Sequence, residues 1–135
     1  MVFESDAAPN GHAQFMNWYA QQTLWAEGHS YDDPAVSTEK LRAWFMEIIQ
    51  SFPPLNGTLS KHDLPEDEAS ATDYSVGKRA IYCAFAWSKA ESAHNLVFEL
   101  ARKHGVGLFD VSSGNEEVWL PSNEKLRLAH SKFDV

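Results

Sequence analysis

Apolar residues recur at helical spacing in two segments of the N-terminal half of the chain. The first stripe consists of Phe15, Trp18, Tyr19, Gln22 and Trp25. The second consists of Leu41, Trp44, Phe45, Ile48, Ile49 and Phe52. This spacing places each set on one face of a helix. We therefore predict one helix closed by Trp25 and ended at Gly28, and a second capped by Ser37 or Thr38 and ended at Pro53.

Further along the chain the apolar pattern alternates, which is typical of strands. We predict a short strand at 1–4 and a hairpin of 72–76 and 80–87 around a turn at 77–79. The return strand has Ile81, Cys83, Phe85 and Trp87 on one face, and Tyr82 and three alanines on the other. The small residues on the second face indicate a helix packed closely against it.

A third helix follows the hairpin. Ser88 and Glu91 have the spacing of a capping box, and Gly105 stands where a left-handed C-cap ends a helix. Short strands are predicted at 108–111 and 118–120.

The predicted order is β-α-α-β-β-α-β-β. Helices grouped between hairpins favour an α+β fold over a doubly wound parallel sheet. We expect a single domain over residues 1–121, built as a ferredoxin-like split βαβ antiparallel sheet with its helices on one face. Residues 122–135 are expected to form a polar C-terminal tail, either a loosely docked helix or disordered.

Composition indicates a globular protein and excludes a membrane-spanning one. Hydrophobic residues make up 44% of the 135 residues, and the longest apolar run, 80–87, is far shorter than the roughly 20 residues that a transmembrane helix needs. The first residues lack the basic and apolar regions of a secretory signal. The single cysteine, Cys83, cannot form an internal disulfide, and it is consistent with a cytoplasmic protein.

The acidic charge is concentrated in one half of the chain. Residues 1–77 carry three bases and twelve acids, whereas residues 78–135 carry eight bases and seven acids. An acidic surface repels phosphate backbones, which argues against a nucleic-acid partner. The same surface favours encounter with a basic protein, although it also simply promotes solubility.

No arrangement of residues predicts a catalytic site, a cofactor or a metal. His29, Asp32 and Asp33 carry ligand atoms, but the chain has no paired His or Cys at the usual ligand spacing. The serines at 112–113 lack a nucleophile elbow, and the glycines at 105–107 follow a helix where a dinucleotide loop would follow a strand.

Aromatic and acidic residues alternate between the first two helices, a composition that protein interfaces use as hot spots. A second acidic group lies in the long polar loop at 58–71. The predicted partner-binding residues are Trp25, Glu27, His29, Tyr31, Asp32, Asp33, Glu66, Asp67 and Glu68. The competing interpretation is that Trp25 and Tyr31 fill the end of the core.

Over residues 1–121 the chain resembles a family of small bacterial proteins. The resemblance is carried by HSYDDP (29–34), LRAWF (41–45), FPPLNG (52–57), TDYSVG (72–77), AFAWS (84–88) and HGVGLFDVSS (104–113). Some such proteins resemble immunity proteins, which are encoded beside toxins delivered between bacteria by contact-dependent or type VI secretion. The resemblance implies a non-enzymatic protein that neutralises a cognate toxin with a basic active site. The alternative is a small enzyme or a ligand- or metal-binding protein using residues 29–33.

Overall fold

The computed structural model describes residues 1–57, 59–60 and 68–134. These residues form one α+β domain of three helices and a six-stranded antiparallel sheet, which confirms the predicted fold class. The helices are α1 (His12–Gln22), α2 (Glu39–Ile48) and α3 (Ala90–His104). The strands are β1 (Val2–Phe3), β2 (Asp73–Val76), β3 (Ala80–Ala84), β4 (Gly107–Asp110), β5 (Glu117–Ser122) and β6 (Lys125–His130).

The sheet has the strand order β2-β3-β1-β4-β5-β6, with β1 near its centre. The pairs formed by β1 are Val2 with Ile81 and Leu108, and Phe3 with Ala80 and Gly107. Both residues of β1 are fully buried. Because neighbouring strand residues point to opposite faces, β1 contributes one side chain to each of two cores.

The two cores lie on opposite faces of the sheet. Val2 packs in a cluster with the apolar faces of α2 and α3, including Trp44, Phe45 and Leu100. Phe3 packs in a second cluster with Phe15 of α1. The prediction that the helices lie on one face was therefore wrong, because strands that are buried on both sides need a helix layer on each side.

The segment predicted to be a polar tail contains strand β6. It pairs with β5 from Ser122 opposite Lys125 to Val118 opposite His130. Asn123 and Glu124 join the two strands, and both have positive φ angles, as a tight two-residue hairpin turn requires. Asn-Glu lacks the glycine that usually marks such a turn, which is why the sequence did not predict the hairpin.

Two histidines attach the end of β6 to the start of α1. The Nδ1 atoms of His12 and His130 lie 2.7 Å apart, and His12 Nε2 lies 3.0 Å from Glu116 Oε1. His130 is only 7% exposed. Burial is the main cause that lowers its pKa, and the nearby His12 lowers it further. Because one proton must lie between the two Nδ1 atoms, the two rings cannot both be fully protonated while this contact persists.

Several local predictions differ from the structure. Helix α2 ends at Ile48, before the predicted end at Pro53, and no side chain caps its first turn. Helix α1 ends at Gln22, so Trp25 lies beyond it. Strand β3 ends at Ala84, so the alternating pattern does not reach Trp87, which is 93% exposed. Helix α3 begins at Ala90 without a side-chain cap, because Ser88 lies within a preceding 3-10 turn and no capping box forms.

The left-handed end of α3 agrees with the prediction. Gly105 has a φ of 69°, and its amide donates to the carbonyl of Ala101. Among the described residues, no helix has the length and apolar character needed to cross a membrane.

Candidate functional site

Residues 25–33, which we call the aromatic–acidic loop, connect α1 to a 3-10 turn at Pro34–Val36. Hydrogen bonds hold this loop against the β2–β3 hairpin. The amide of Val76 donates to the carbonyl of Tyr31 at 2.8 Å, and the amide of Lys78 donates to Glu27 Oε1 at 2.9 Å. Just beyond the loop, the buried Ser37 hydroxyl donates to the carbonyl of Gly77. The loop therefore has a fixed position at one end of the sheet.

Three side chains of the aromatic–acidic loop form one connected network. The Oη atom of Tyr31 accepts from the backbone amide of Glu27 at 2.6 Å. The backbone amide of Tyr31 donates to His29 Nδ1 at 3.2 Å. His29 Nε2 lies 2.8 Å from Glu27 Oε1. Because Nδ1 accepts, the ring proton of neutral His29 must be on Nε2, from which it donates to the carboxylate. Both nitrogens of His29 are thus occupied.

Two aromatic residues of the loop adopt a backbone conformation that bulky side chains rarely use. Trp25 has a φ of 53° and Tyr31 a φ of 61°. Each such residue costs on the order of 1 kcal/mol, which the surrounding contacts must offset. Their rings pack edge to face with centroids 5.3 Å apart, and both side chains stay partly exposed. The strained backbone therefore leaves an edge-to-face aromatic pair partly exposed at the surface.

The two aspartates of the loop have separate local roles. Asp33 is exposed, and its Oδ1 accepts from the amide of Ala35 at 2.9 Å, which caps the 3-10 turn. Asp32 accepts from the Ser30 hydroxyl and lies against Gly57. Asp33 is exposed and Asp32 is partly exposed, so both carboxylates can face a partner.

Of the second predicted acidic group only Glu68 is among the described residues, and it is not brought to this loop. Glu66 and Asp67 lie outside the described residues. Glu68 is exposed and begins a 3-10 turn, Glu68–Ser70, that packs near Trp87–Lys89. Those residues follow the end of β3, whereas the aromatic–acidic loop contacts the turn before its start. The structure thus gathers Trp25, Glu27, His29 and Tyr31 into one site with Asp32 and Asp33 beside it, and places Glu68 elsewhere.

Glu27 is the electrostatic anchor of the loop. Partial burial raises its pKa, but the hydrogen bonds from His29 and from the Lys78 amide outweigh burial, so the pKa is lowered from its ordinary value. A carboxyl whose pKa is lower in the folded state stabilises the fold above its ordinary pKa. This stabilisation is lost as the pH falls through the lowered value.

We expect Glu27→Gln to destabilise the protein by about 1 kcal/mol at neutral pH, because the amide bonds the loop more weakly than the carboxylate does. The difference from wild type should shrink as the pH falls through the lowered pKa of Glu27, because the carboxyl of the wild type then becomes protonated. Chemical denaturation of both proteins at neutral pH and over a series of acidic pH values measures it. A difference that stays constant with pH would show that the charge of Glu27 does not anchor the loop.

The described residues contain no group of three or more His, Cys, Asp or Glu side chains arranged to hold a metal ion. His29, which the alternative hypothesis would use as a ligand, already has both nitrogens in hydrogen bonds. Burial raises the pKa of Cys83 to about 12, so this thiol is not a nucleophile at neutral pH.

Sequence reasoning missed the neighbours of Trp25. Tyr19, Tyr82 and Asp73 line a surface recess together with Trp25. A usable signal was present, since Tyr19 lies on the apolar stripe of α1 and Tyr82 lies on the alanine-rich face of β3. These two faces are the ones that pack together.

Comparison of the chain with protein-family models, with curated proteins and with solved structures gives no match.

Proposed function

We propose that this chain is an immunity-type protein that binds a cognate interbacterial toxin and neutralises it in the cytoplasm of the bacterium that makes both. In this proposal the toxin is delivered between cells by contact-dependent or type VI secretion. The aromatic–acidic loop covers the toxin's basic active site. The protein acts by occupying that site and performs no chemistry of its own.

The observation that carries the proposal is the partly exposed aromatic pair of Trp25 and Tyr31 beside acidic residues. Interfaces concentrate their binding energy in such aromatic anchors, surrounded by polar groups that exclude water. A loop that is already ordered loses little conformational entropy on binding. The strain at both residues is consistent with selection for a surface rather than for packing alone.

The charge of the chain supports a basic partner. Twelve of the 19 acidic residues lie in residues 1–77, which include the aromatic–acidic loop. Toxins that act on nucleotides or nucleic acids need cationic sites, and an acidic protein surface complements them. The alternative, an enzyme or metal-binding protein using residues 29–33, has less support because the hydrogen bonds of His29 leave no nitrogen for a metal.

The strand order β2-β3-β1-β4 within the larger sheet supports a ferredoxin-like plan for the first four strands. In such a plan α2 and α3 are the two crossover helices on one face, and α1 covers the opposite face. The hairpin of β5 and β6 would extend the sheet at the β4 edge.

The toxin encoded next to this gene provides the test. Co-expression of this chain should restore growth of cells that express the toxin, and the purified proteins should associate. The association rate constant should fall as salt rises, because steering by exposed charges is screened. The double variant Asp32→Asn/Asp33→Asn should associate about threefold to tenfold more slowly at low salt. The side-chain amide that replaces the Asp33 carboxylate still has an oxygen that can accept from the backbone amide of Ala35. The loop should therefore stay folded.

The matched control removes two exposed acids from the other half of the chain, as Glu91→Gln/Glu124→Gln. This variant has the same net charge as the loop variant and should associate nearly as fast as wild type. Equal slowing by both variants would mean that net charge acts without a localised site. Failure of the chain to bind the toxin or to protect cells would contradict the proposed function.

A further inference from the structure

A recess of about 310 Å³ opens beside the aromatic–acidic loop, between the C-terminal end of α1 and the outer strands of the sheet. Its lining consists of Tyr19, Thr23, Trp25, Asp73, Ser75, Tyr82 and Ala84. The sheet residues are register partners, because Asp73 pairs with Ala84 and Ser75 pairs with Tyr82. The volume is at the lower end of the range for ligand pockets, so the recess suits one side chain better than a large cofactor.

Three aromatic side chains line this recess. The rings of Trp25 and Tyr82 meet edge to face with centroids 6.3 Å apart. Burial raises the pKa of Tyr19, and the neighbouring phenol of Tyr82 raises it further, so Tyr19 is neutral at physiological pH. The faces of such rings carry partial negative charge and attract cations that lie within about 6 Å of their centroids.

The charged groups around the recess favour a cation. Asp73 carries the only formal charge among the described lining residues, and its side chain is exposed. None of the ion pairs in the described part of the chain involves Asp73. The recess also lies at the C-terminal end of α1, where the helix dipole is negative.

A neighbouring pocket, which residues of the aromatic–acidic loop also line, has a different set of charged side chains. That pocket is lined by Glu27 together with Lys78 and Arg79, so bases are already present beside its acid. The described lining of the recess, by contrast, combines the Asp73 carboxylate with aromatic and hydroxyl side chains and includes no base.

We infer that this recess binds an arginine side chain of a basic partner protein, with the guanidinium against the rings of Trp25, Tyr19 and Tyr82 and paired with Asp73. Arginine fits better than lysine because its planar group stacks on aromatic rings and forms two parallel hydrogen bonds with a carboxylate. The inference rests on the proposed function, in which the partner is a basic toxin, and it names the group that this site recognises. It also explains why Trp25 is held in a strained conformation, since this places the indole at the edge of the recess.

A small probe tests the site without any toxin. N-acetyl-argininamide is titrated into the isotope-labelled protein, and backbone and indole chemical shifts are followed by NMR. We expect saturable shifts centred on Trp25, Asp73 and Tyr82, with millimolar affinity. N-acetyl-citrullinamide, which has the same shape without the charge, should bind at least about tenfold more weakly. N-acetyl-lysinamide should bind more weakly than the arginine probe.

Two variants and one control test whether the arginine probe binds in this recess. Asp73→Asn changes only the charge of an exposed side chain and should weaken binding of the arginine probe about tenfold. Trp25→Leu should also weaken it, provided that circular dichroism shows a native fold. Trp87→Ala removes an exposed tryptophan outside the recess and should leave binding unchanged.

Equal binding of the citrulline probe, shifts centred on Trp87, or full affinity in Asp73→Asn would overturn the inference. The same variants are then measured against the toxin from the neighbouring gene. If the toxin binds but Asp73→Asn has full affinity, the recess proposal fails and the proposed function stands. If the arginine probe binds as expected but the toxin does not bind, the proposed function fails and the arginine site stands.

Discussion

Replacing Trp44 with alanine should lower the free energy of unfolding by about 3–5 kcal/mol. Trp44 is the largest fully buried side chain in the protein, and it lies in the core between the sheet, α2 and α3. Its removal leaves a cavity that the surrounding strands and helices cannot fill. Chemical denaturation of the purified variant, with the slope of the transition checked against wild type, measures the loss. A cost below about 1 kcal/mol would mean that Trp44 is not a core residue in solution.

Trp44→Phe provides the matched comparison. The indole Nε1 of Trp44 is buried and has no hydrogen-bond partner among the described residues. Leaving such a donor unpaired costs about 1–3 kcal/mol, so removing it offsets part of the packing that phenylalanine loses. We therefore expect Trp44→Phe to cost less than about 1.5 kcal/mol. Equal losses for the two variants would contradict this account of the indole nitrogen.

Gly107→Ala should destabilise the protein by about 2–3 kcal/mol, because overpacking a rigid core forces side chains and backbone apart. Gly107 pairs with Phe3 between β4 and β1, and a Cβ atom at this position would overlap the Phe3 ring. The ring cannot move away easily, since it packs against Phe15 and Trp18. Denaturation of Gly107→Ala measures the cost.

A double variant separates this clash from a general preference for glycine. In Phe3→Leu/Gly107→Ala the smaller side chain leaves room for the new methyl group. The double variant should therefore lose clearly less stability than the sum of the two single variants. Additive losses would show that the Phe3 ring is not what excludes a side chain at Gly107.

The helices were predictable because their apolar residues recur at regular helical spacing. The buried residues of α2 are Leu41, Trp44, Phe45 and Ile48, all of which lie on the predicted stripe. The placement of helices on both faces was not predictable, because β1 is only two residues long. Such a short strand shows no alternation from which two buried faces can be inferred. Strand β6 was not predicted because buried and exposed residues alternate only weakly along it. Leu128 is 52% exposed, and most of the other residues of β6 are polar.

The candidate site was predictable in composition but not in geometry. The sequence places Trp25, Tyr31 and the acidic residues close together along the chain. It contains no signal for the positive φ angles of Trp25 and Tyr31, which bulky residues rarely adopt. Asp73 and Tyr82 join the site because the β2–β3 hairpin lies beside Trp25 and the end of α1, and these segments are far apart in the sequence.

The central claim is that the aromatic–acidic loop contacts the partner protein. Hydrogen–deuterium exchange of this chain, alone and with the toxin that the proposed function expects in a neighbouring gene, tests it most directly. The account predicts slower exchange in the complex for amides of residues 25–36 and 76–79, with little change elsewhere. Protection confined to the turns after β3 and β4, at residues 87–89 and 111–113, with exchange of the aromatic–acidic loop unchanged, would contradict it.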